Sequence, residues 1–399
     1  MIVDLGCTTP INVRKSSMAS PLPEAPVDLP LAGIHVVEFG HSVAAPYAGQ
    51  ILADLGADVL KVEKPEGDDA RRWGPPFLDG TAATFQALNR NKRSVVANLR
   101  DPVQRDRLSE HITTQADVVL QNLRPGQADA LGLGATALRA LQPRLVYCNL
   151  GAFGSRGPLA DKPGYDPLMQ AFGGIMSVVG EAGRPAVRVG PSIIDCGTAM
   201  WAALGIVSAL LQRRDSGVGA VVDVSLFETA AAWMGTHVAQ HGGSGQLPQK
   251  AGSGQVGIVP YRAYATRDGE VVVAAGNDGL YARLCAVLGH PEWATDARFA
   301  SNPLRVQNAD TLYALIEPCL LQRGTAEWLA ALEAAGVPCA PVQNVRQMLD
   351  HPQTQALGIA RPLPGGSAPV IGLPISFDGH RPIARRGAPA LGAHNADVF

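Results

Sequence analysis

Cysteine is scarce in this chain. Six residues in 399, scattered and without a Cys-x-x-Cys pair, exclude a disulfide framework and a zinc site, and suit a reducing, cytoplasmic location. An excess of one charge is also missing: 33 Lys and Arg stand against 35 Asp and Glu, a net of −2. Without a basic block, tracking along nucleic-acid phosphates is not expected. The nine histidines form no His-x-x-x-His or His-Glu-x-x-His pair, so no metal site is expected. The longest uncharged run, Cys196 to Gln212, has 17 residues and is interrupted by glycine, threonine and serine. It is too short and too mixed to span a membrane and reads as a buried helix. Residues 1–28 show no apolar core behind a basic start, so they read as an N-terminal extension rather than a secretory signal. Nucleotide and hydrolase signatures are lacking too. The first strand runs into Gly40-His41-Ser42-Val43-Ala44-Ala45-Pro46, neither a dinucleotide fingerprint nor a Walker A loop, and no Gly-x-Ser-x-Gly elbow occurs.

What is present is alternation. The length exceeds one ordinary hydrophobic core, which predicts two domains. From Leu31, β-rich runs at 34–39, 58–63, 94–99, 116–120 and 145–150 alternate with helical stretches, among them 44–55 closed by Gly56. This predicts an α/β fold with a doubly wound parallel sheet and ligands at the strands' carboxyl ends. The large domain is expected over 29–220 and 337–399. A smaller α/β domain is expected over 221–336, with an antiparallel pair at 258–265 and 270–275. After Trp233, within the 221–336 region, runs a glycine-rich polar stretch from His241 to Gly257, containing Gly-Ser-Gly-Gln twice. That stretch suits a linker, or a mobile loop over a reactive centre.

The most informative segment is Gly164-Tyr165-Asp166-Pro167-Leu168-Met169-Gln170. Proline starts helices well, which places Asp166 at the N-cap and Pro167 at N1. A carboxylate there accepts backbone N–H groups, stays ionised and caps the helix; held at a bend, it is also a candidate nucleophile toward an activated acyl group. Basic residues gather where the strands begin or end: Lys64, Lys92, Arg93, Arg100 and Arg124. They read as ordinary solvated charge or as a phosphate-binding rim. His41 follows the first strand, an address for chemistry or for a structural hydrogen bond.

Taken together, the motifs resemble the class III CoA-transferase family, which includes formyl-CoA transferase, carnitine CoA-transferase and the α-methylacyl-CoA racemases. The resemblance rests on the run from Leu55 to Pro65, Gly67-Asp68, Arg72-Trp73-Gly74, Asn89 to Ser94, Asn122 with Pro125-Gly126, Gly164-Tyr165-Asp166, Gly336 to Val342 and Ala388 to His394. It implies a Rossmann-like large domain built from both termini, a small domain, and an interlocked homodimer. It also implies coenzyme A as substrate carrier, with no tightly bound cofactor, and an acyl-CoA and a small carboxylate as partners. By position, Asp166 corresponds to the family's nucleophile. The ADP end of CoA is assigned to Lys64, Ala97, Asn98, Leu99, Arg100, Asn122, Leu123 and Arg124, and pantetheine to Val43, Ala44, Gly151, Ala152, Phe153 and Gly154. The active-site glycine loop maps to Gly252, Ser253, Gly254 and Gln255.

Formyl-CoA transferases carry Gln at the place of Val43 and Arg at that of Ala130, which disfavours a formyl-CoA/oxalate pair. Racemases carry Gly-His-Asp where this chain has Gly164-Tyr165-Asp166. Ile258 to Tyr261, Ala275 to Asn277 and Leu304 to Val306 look like the succinate–glutarate CoA-transferase branch. The implied activity is CoA transfer from succinyl-CoA to a dicarboxylate, with Arg188 as candidate partner of the distal carboxylate. A racemase-type isomerase and a CoA-binding module without turnover are the alternatives.

Overall fold

A computed structural model describes residues 29–78, 80–364 and 369–399; the N-terminal extension expected over 1–28 lies outside them. Its centre is a six-stranded parallel sheet in the spatial order Arg93–Val96, Asp58–Glu63, His35–Phe39, Val118–Gln121, Val146–Gly151, Val221–Ser225. The chain starts in the middle, builds outward to one edge, then returns to build the other. The order therefore reverses between His35–Phe39 and Val118–Gln121, the switch point where doubly wound folds open a crevice.

Both faces of the sheet are buried, as near-continuous Val/Leu strands require. On one face Val36, Val59, Val118, Val146 and Cys148 pack under the helices Ala44–Asp54 and Ile193–Ser216. On the other, Val37, Leu60, Val95, Val119 and Tyr147 meet Leu108 and Ile112 of the helix Pro102–Gln115. The long helix Ile193–Ser216 presents Ala199, Ala202, Ala203 and Ile206 to this core, and small residues let its backbone come close. It is long and apolar enough to cross a membrane by composition, but half of that apolar window is buried in the fold.

Charge is buried in the same sheet. Glu38 and Lys61 are register partners on adjacent strands and both are fully buried. Lys61 Nζ lies 3.2 Å from Glu38 Oε1 and 2.9 Å from Asp68 Oδ2, while Lys92 Nζ lies 2.8 Å from Glu38 Oε2. Two cations thus face two carboxylates inside the core, the compensation that buried charge demands. Helix Ala44–Asp54 crosses directly over Glu38: a Cβ on Gly49 would sit 1.9 Å from its Oε2, so only glycine fits there.

The smaller unit is a three-stranded antiparallel sheet, Cys339–Pro341, Glu270–Ala274, Tyr261–Ala265, with its own core of Tyr264, Val271, Leu284, Phe299, Ile316 and Trp328. The tail then packs on the first sheet, where Gly392 N–H donates to Ser94 Oγ and Val398 and Phe399 rest on the apolar face.

Several expectations are corrected. The strand Val221–Ser225 completes the large sheet, and helix Leu226–Trp233 follows into that core, so residue 220 is no boundary. Val337 and Cys339–Pro341 belong to the small unit, not the large one. The stretch read as loop from His241 is helical to Ser244, in Gly235–Ser244. The helix that Pro167 helps to start ends at Phe172, and Gly174 turns at φ 86° before a further short helix, Ile175–Val178.

The buried charge network is testable by stability. Lys61→Met leaves Glu38 and Asp68 short of their shared cation, and unfolding by urea is expected to show a loss of about 3–5 kcal/mol. A loss below about 1 kcal/mol would mean that the cluster is not electrostatically essential.

Candidate functional site

The crevice at the switch point opens into a cavity of about 1320 Å³. Its walls are the segments that leave the strands' carboxyl ends, because side chains there are freed from the sheet while their backbones remain anchored. One wall is the loop Gly40–Val43. Asn122 pins it by a reciprocal pair: His41 N–H donates to its Oδ1 at 3.0 Å and its Nδ2 donates to His41 O at 2.9 Å. From below, Lys61 Nζ donates to Gly40 O, and Ser42 N–H donates to Asp68 Oδ1 at 3.2 Å. Ser42 sits at φ 68°, a left-handed conformation these bonds hold in place.

Asp166 lies in another wall, 2% exposed. It is the first residue of helix Asp166–Phe172, with Tyr165 as the N-cap, so the expected capping role is corrected. Its partners come from farther away. Oδ2 accepts the N–H of Ile194 at 2.7 Å and of Asp195 at 3.3 Å, in the first turn of the long helix. Oδ1 accepts Gln170 Nε2 at 2.6 Å, one turn on. The positive end that favours its charge is thus that of Ile193–Ser216.

Several ionisable groups around the cavity depart from their ordinary values. Asp195, also in the wall, is pushed up to about 7 by burial and by the charge of Asp166. Cys196 rises to about 11 through burial, Asp195 and Asp166. Burial lowers His41, with Asp68 working against it. Burial acts against the Asp68 carboxylate, but Lys61 and the N–H groups of Ala70 and Ser42 outweigh it and its pKa falls.

The structure brings together Val43, Ala44, Lys64, Ala97, Asn98, Leu99, Arg100, Asn122, Leu123, Arg124, Gly151, Ala152 and Asp166, all in the wall of this one cavity. Other expected site residues lie elsewhere. Phe153 packs edge-on against Phe172 at 5.2 Å, and Gly154 turns beneath Glu228. Arg188 donates to its neighbours Val189 O and Gly190 O, off the cavity wall. Gly252–Gln255 is off this cavity wall and bonded in part to the small sheet: Gly252 N–H donates to Gly180 O, Ser253 Oγ accepts Ala263 N–H, and Gln255 N–H donates to Tyr261 O. The first Gly-Ser-Gly-Gln copy ends a helix, with Gly245 as left-handed cap. Lys92 and Arg93 leave the basic rim as well: Lys92 is buried against Glu38, and Arg93 pairs with Asp58 and Asp397. Asp195, Gln170 and Lys162 were not singled out from the sequence; only the acidic first turn of the long helix could have pointed to Asp195.

Comparison with known proteins gives a consistent picture. The family model described as CoA-transferase family III matches residues 31–395. A succinate–glutarate CoA-transferase of Agrobacterium fabrum is 37% identical, over 93% of this chain and 95% of the relative. A succinyl-CoA:glutarate CoA-transferase of Homo sapiens is 32% identical, over 93% of this chain and 85% of its own. Among solved structures, a CAIB/BAIF family protein from Brucella suis superposes with a TM-score of 0.84 at 38% identity, covering 92% of this chain and 98% of that one.

The carboxyl pair can be tested without substrate. Asp195 holds its proton more tightly folded than its ordinary 3.8 implies, so its stabilising contribution is present at low pH and is lost as pH rises toward about 7. Relative to Asp195→Asn, the wild-type protein is expected to lose stability over that interval and to run parallel above it, as read by urea midpoints across pH. Parallel curves throughout would show that the two carboxyls do not interact.

Proposed function

As the chain belongs to CoA-transferase family III, we propose that it transfers CoA from an acyl-CoA, with succinyl-CoA as donor, to a dicarboxylic acid. One observation carries this reading: a buried carboxylate, Asp166, shares a cavity wall with the cations Lys64, Arg100 and Arg124. The cavity exceeds the usual 300–1,000 Å³ or so of small-ligand sites, as a nucleotide-bearing thioester needs. In this reading the rim cations and Asn122 hold the ADP end, Val43, Ala44, Gly151 and Ala152 flank pantetheine, and the thioester meets Asp166. CoA comes and goes as substrate carrier, and no tightly bound cofactor takes part.

The chemistry balances without water or a net proton. Asp166 attacks the thioester carbonyl; a C–O bond forms, the C–S bond breaks, and CoA leaves as thiolate. The thiolate attacks the aspartyl carbon of the resulting anhydride, expelling the donor acid as carboxylate and leaving CoA on Asp166. The acceptor carboxylate attacks this thioester and makes a second anhydride. The returning thiolate takes the acceptor's acyl carbon and restores Asp166. Splitting the exchange keeps each leaving group good. The named relatives are CoA-transferases, and Tyr165 stands where the racemase branch has His, so isomerisation is not favoured.

A second copy of the chain is part of the proposal. The outer face of the long helix exposes Met200, Trp201, Leu204 and Leu211, and Trp233 stands 6.0 Å from Trp201 between ring centres. So continuous an apolar face calls for a protein partner, here a homodimer. The free cysteines among the described residues, Cys148, Cys196, Cys285, Cys319 and Cys339, suit a reducing cytoplasm.

Incubation with succinyl-CoA and a panel of dicarboxylates is expected to yield new acyl-CoA species by mass spectrometry, and hydroxylamine to trap a modified Asp166. Asp166→Ala should lose a factor on the order of 10³ or more in kcat, as loss of a nucleophile does. Arg124→Ala should raise KM for the acyl-CoA about tenfold, the worth of one charge-assisted contact, with kcat little changed. Undiminished transfer by Asp166→Ala would overturn the mechanism.

A further inference from the structure

A carboxylate has about four lone-pair sites, two on each oxygen. On Asp166 both sites of Oδ2 are taken, by the N–H groups of Ile194 and Asp195. Oδ1 is met by one donor, Gln170 Nε2, and keeps one lone pair for attack. Gln170 itself is fully buried, and its orientation is fixed at the other end, where Oε1 accepts Val189 N–H at 2.8 Å. Its amide therefore cannot turn round without breaking two bonds at once, and it faces Asp166 with the N–H side.

We propose that Gln170 is a positioning residue that divides the labour of the Asp166 oxygens: Oδ1 attacks, while Oδ2 becomes the aspartyl carbonyl oxygen, seated in an oxyanion site formed by the Ile194 and Asp195 amides. The inference rests on the anhydride reading above and deepens it. When CoA thiolate adds to the aspartyl carbon, the C–S bond forms and the carbonyl electron pair moves onto Oδ2. Collapse then breaks the bond from that carbon to Oδ1, which departs with the donor's acyl group. Negative charge thus develops on the oxygen that already has two backbone donors, at the positive end of the long helix, with no reorganisation required. Gln170 also links the nucleophile to the segment preceding that helix, because Val189 is held by the same side chain.

Three variants separate this from a structural role. Ile194→Pro removes the shorter amide donor at a first-turn position where proline is tolerated. It should lower kcat about 10²–10³-fold while KM for succinyl-CoA stays as it was, with hydroxylamine-trappable Asp166 appearing correspondingly more slowly. Gln170→Leu should lower kcat in the same sense. Gln170→Glu still accepts Val189 N–H but sets a carboxylate against Asp166, so the acid limb of its kcat/KM pH profile should move upward. The titratable neighbours Asp195 and Cys196 are unchanged in all three, and thermal unfolding checks that each variant folds. Wild-type kcat in Gln170→Leu, or an unmoved pH profile in Gln170→Glu, overturns the proposal, whether or not Ile194→Pro folds. Absence of any trapped Asp166 in the wild type would instead sink the anhydride reading beneath it.

Discussion

The first turn of the long helix Ile193–Ser216 meets one carboxylate, and the arrangement of the site follows from that meeting. A buried Asp needs donors for its oxygens or it cannot stay charged. The short helix that Asp166 begins supplies only Gln170, so the remaining bonds come from Ile194 and Asp195. That requirement fixes where the long helix must start. Its flank of small residues then fixes how closely it lies on helix Ala44–Asp54 and the sheet. Apolar packing and placement of the Asp166 carboxylate are therefore one constraint, because moving the helix for better packing would strip the carboxylate of its amides.

A second constraint works from beneath the opposite wall. Glu38 and Lys61 sit side by side in the centre of the sheet, where an apolar pair would cost nothing to bury. Burial alone would discharge Lys61, but Glu38, Asp68 and Glu63 together more than offset it, and its pKa is raised. The return on this arrangement is reach. Lys61 touches Gly40 O, Asp68 touches Ser42 N–H, and the cavity loop is fixed from below by groups that cannot move without uncovering charge. Lys92 differs in its titration: burial draws it down to about 8, with Glu38 opposing, while its Nζ bonds Pro46 O and Asn89 Oδ1 rather than the loop. The loop is thus contacted by Lys61, whereas Lys92 balances Glu38.

Much of this was legible in the sequence, and the failures share a cause. Strand Asp58–Glu63 and the cap at Asp101-Pro102 follow from local pattern, and Asp101 does accept Val103 N–H. Asp166-Pro167 has the same local signature yet another outcome, because donors 28 and 29 residues away in sequence compete for its oxygens. Cap chemistry is local; competition for a cap is not. Val221–Ser225 escaped notice because it is an edge strand, half exposed and carrying Asp223, and so lacks the apolar run of its neighbours. The basic rim was legible as a set of residues but not as a subset. Nothing in sequence separates Lys64 and Arg124, which face the cavity, from Lys92, which faces Glu38.

Asp195 shows how the site keeps one charge where two carboxyls meet. Both carboxyls line the cavity at the end of one helix, and the Ile194 and Asp195 amides there go to Asp166. With its own N–H spent on a neighbour, Asp195 has burial and a nearby negative charge to contend with, and its pKa rises to about 7. Unequal surroundings thus act on two like groups differently, the logic of paired carboxyls at reactive centres. The raised pKa of Asp195 then has a use beyond tolerance. In the reaction proposed above, a second full charge beside Asp166 would repel an incoming acceptor carboxylate and a returning thiolate alike, and the raised pKa of Asp195 reduces that repulsion. The amide donors spent on Asp166 are thereby withheld from its neighbour.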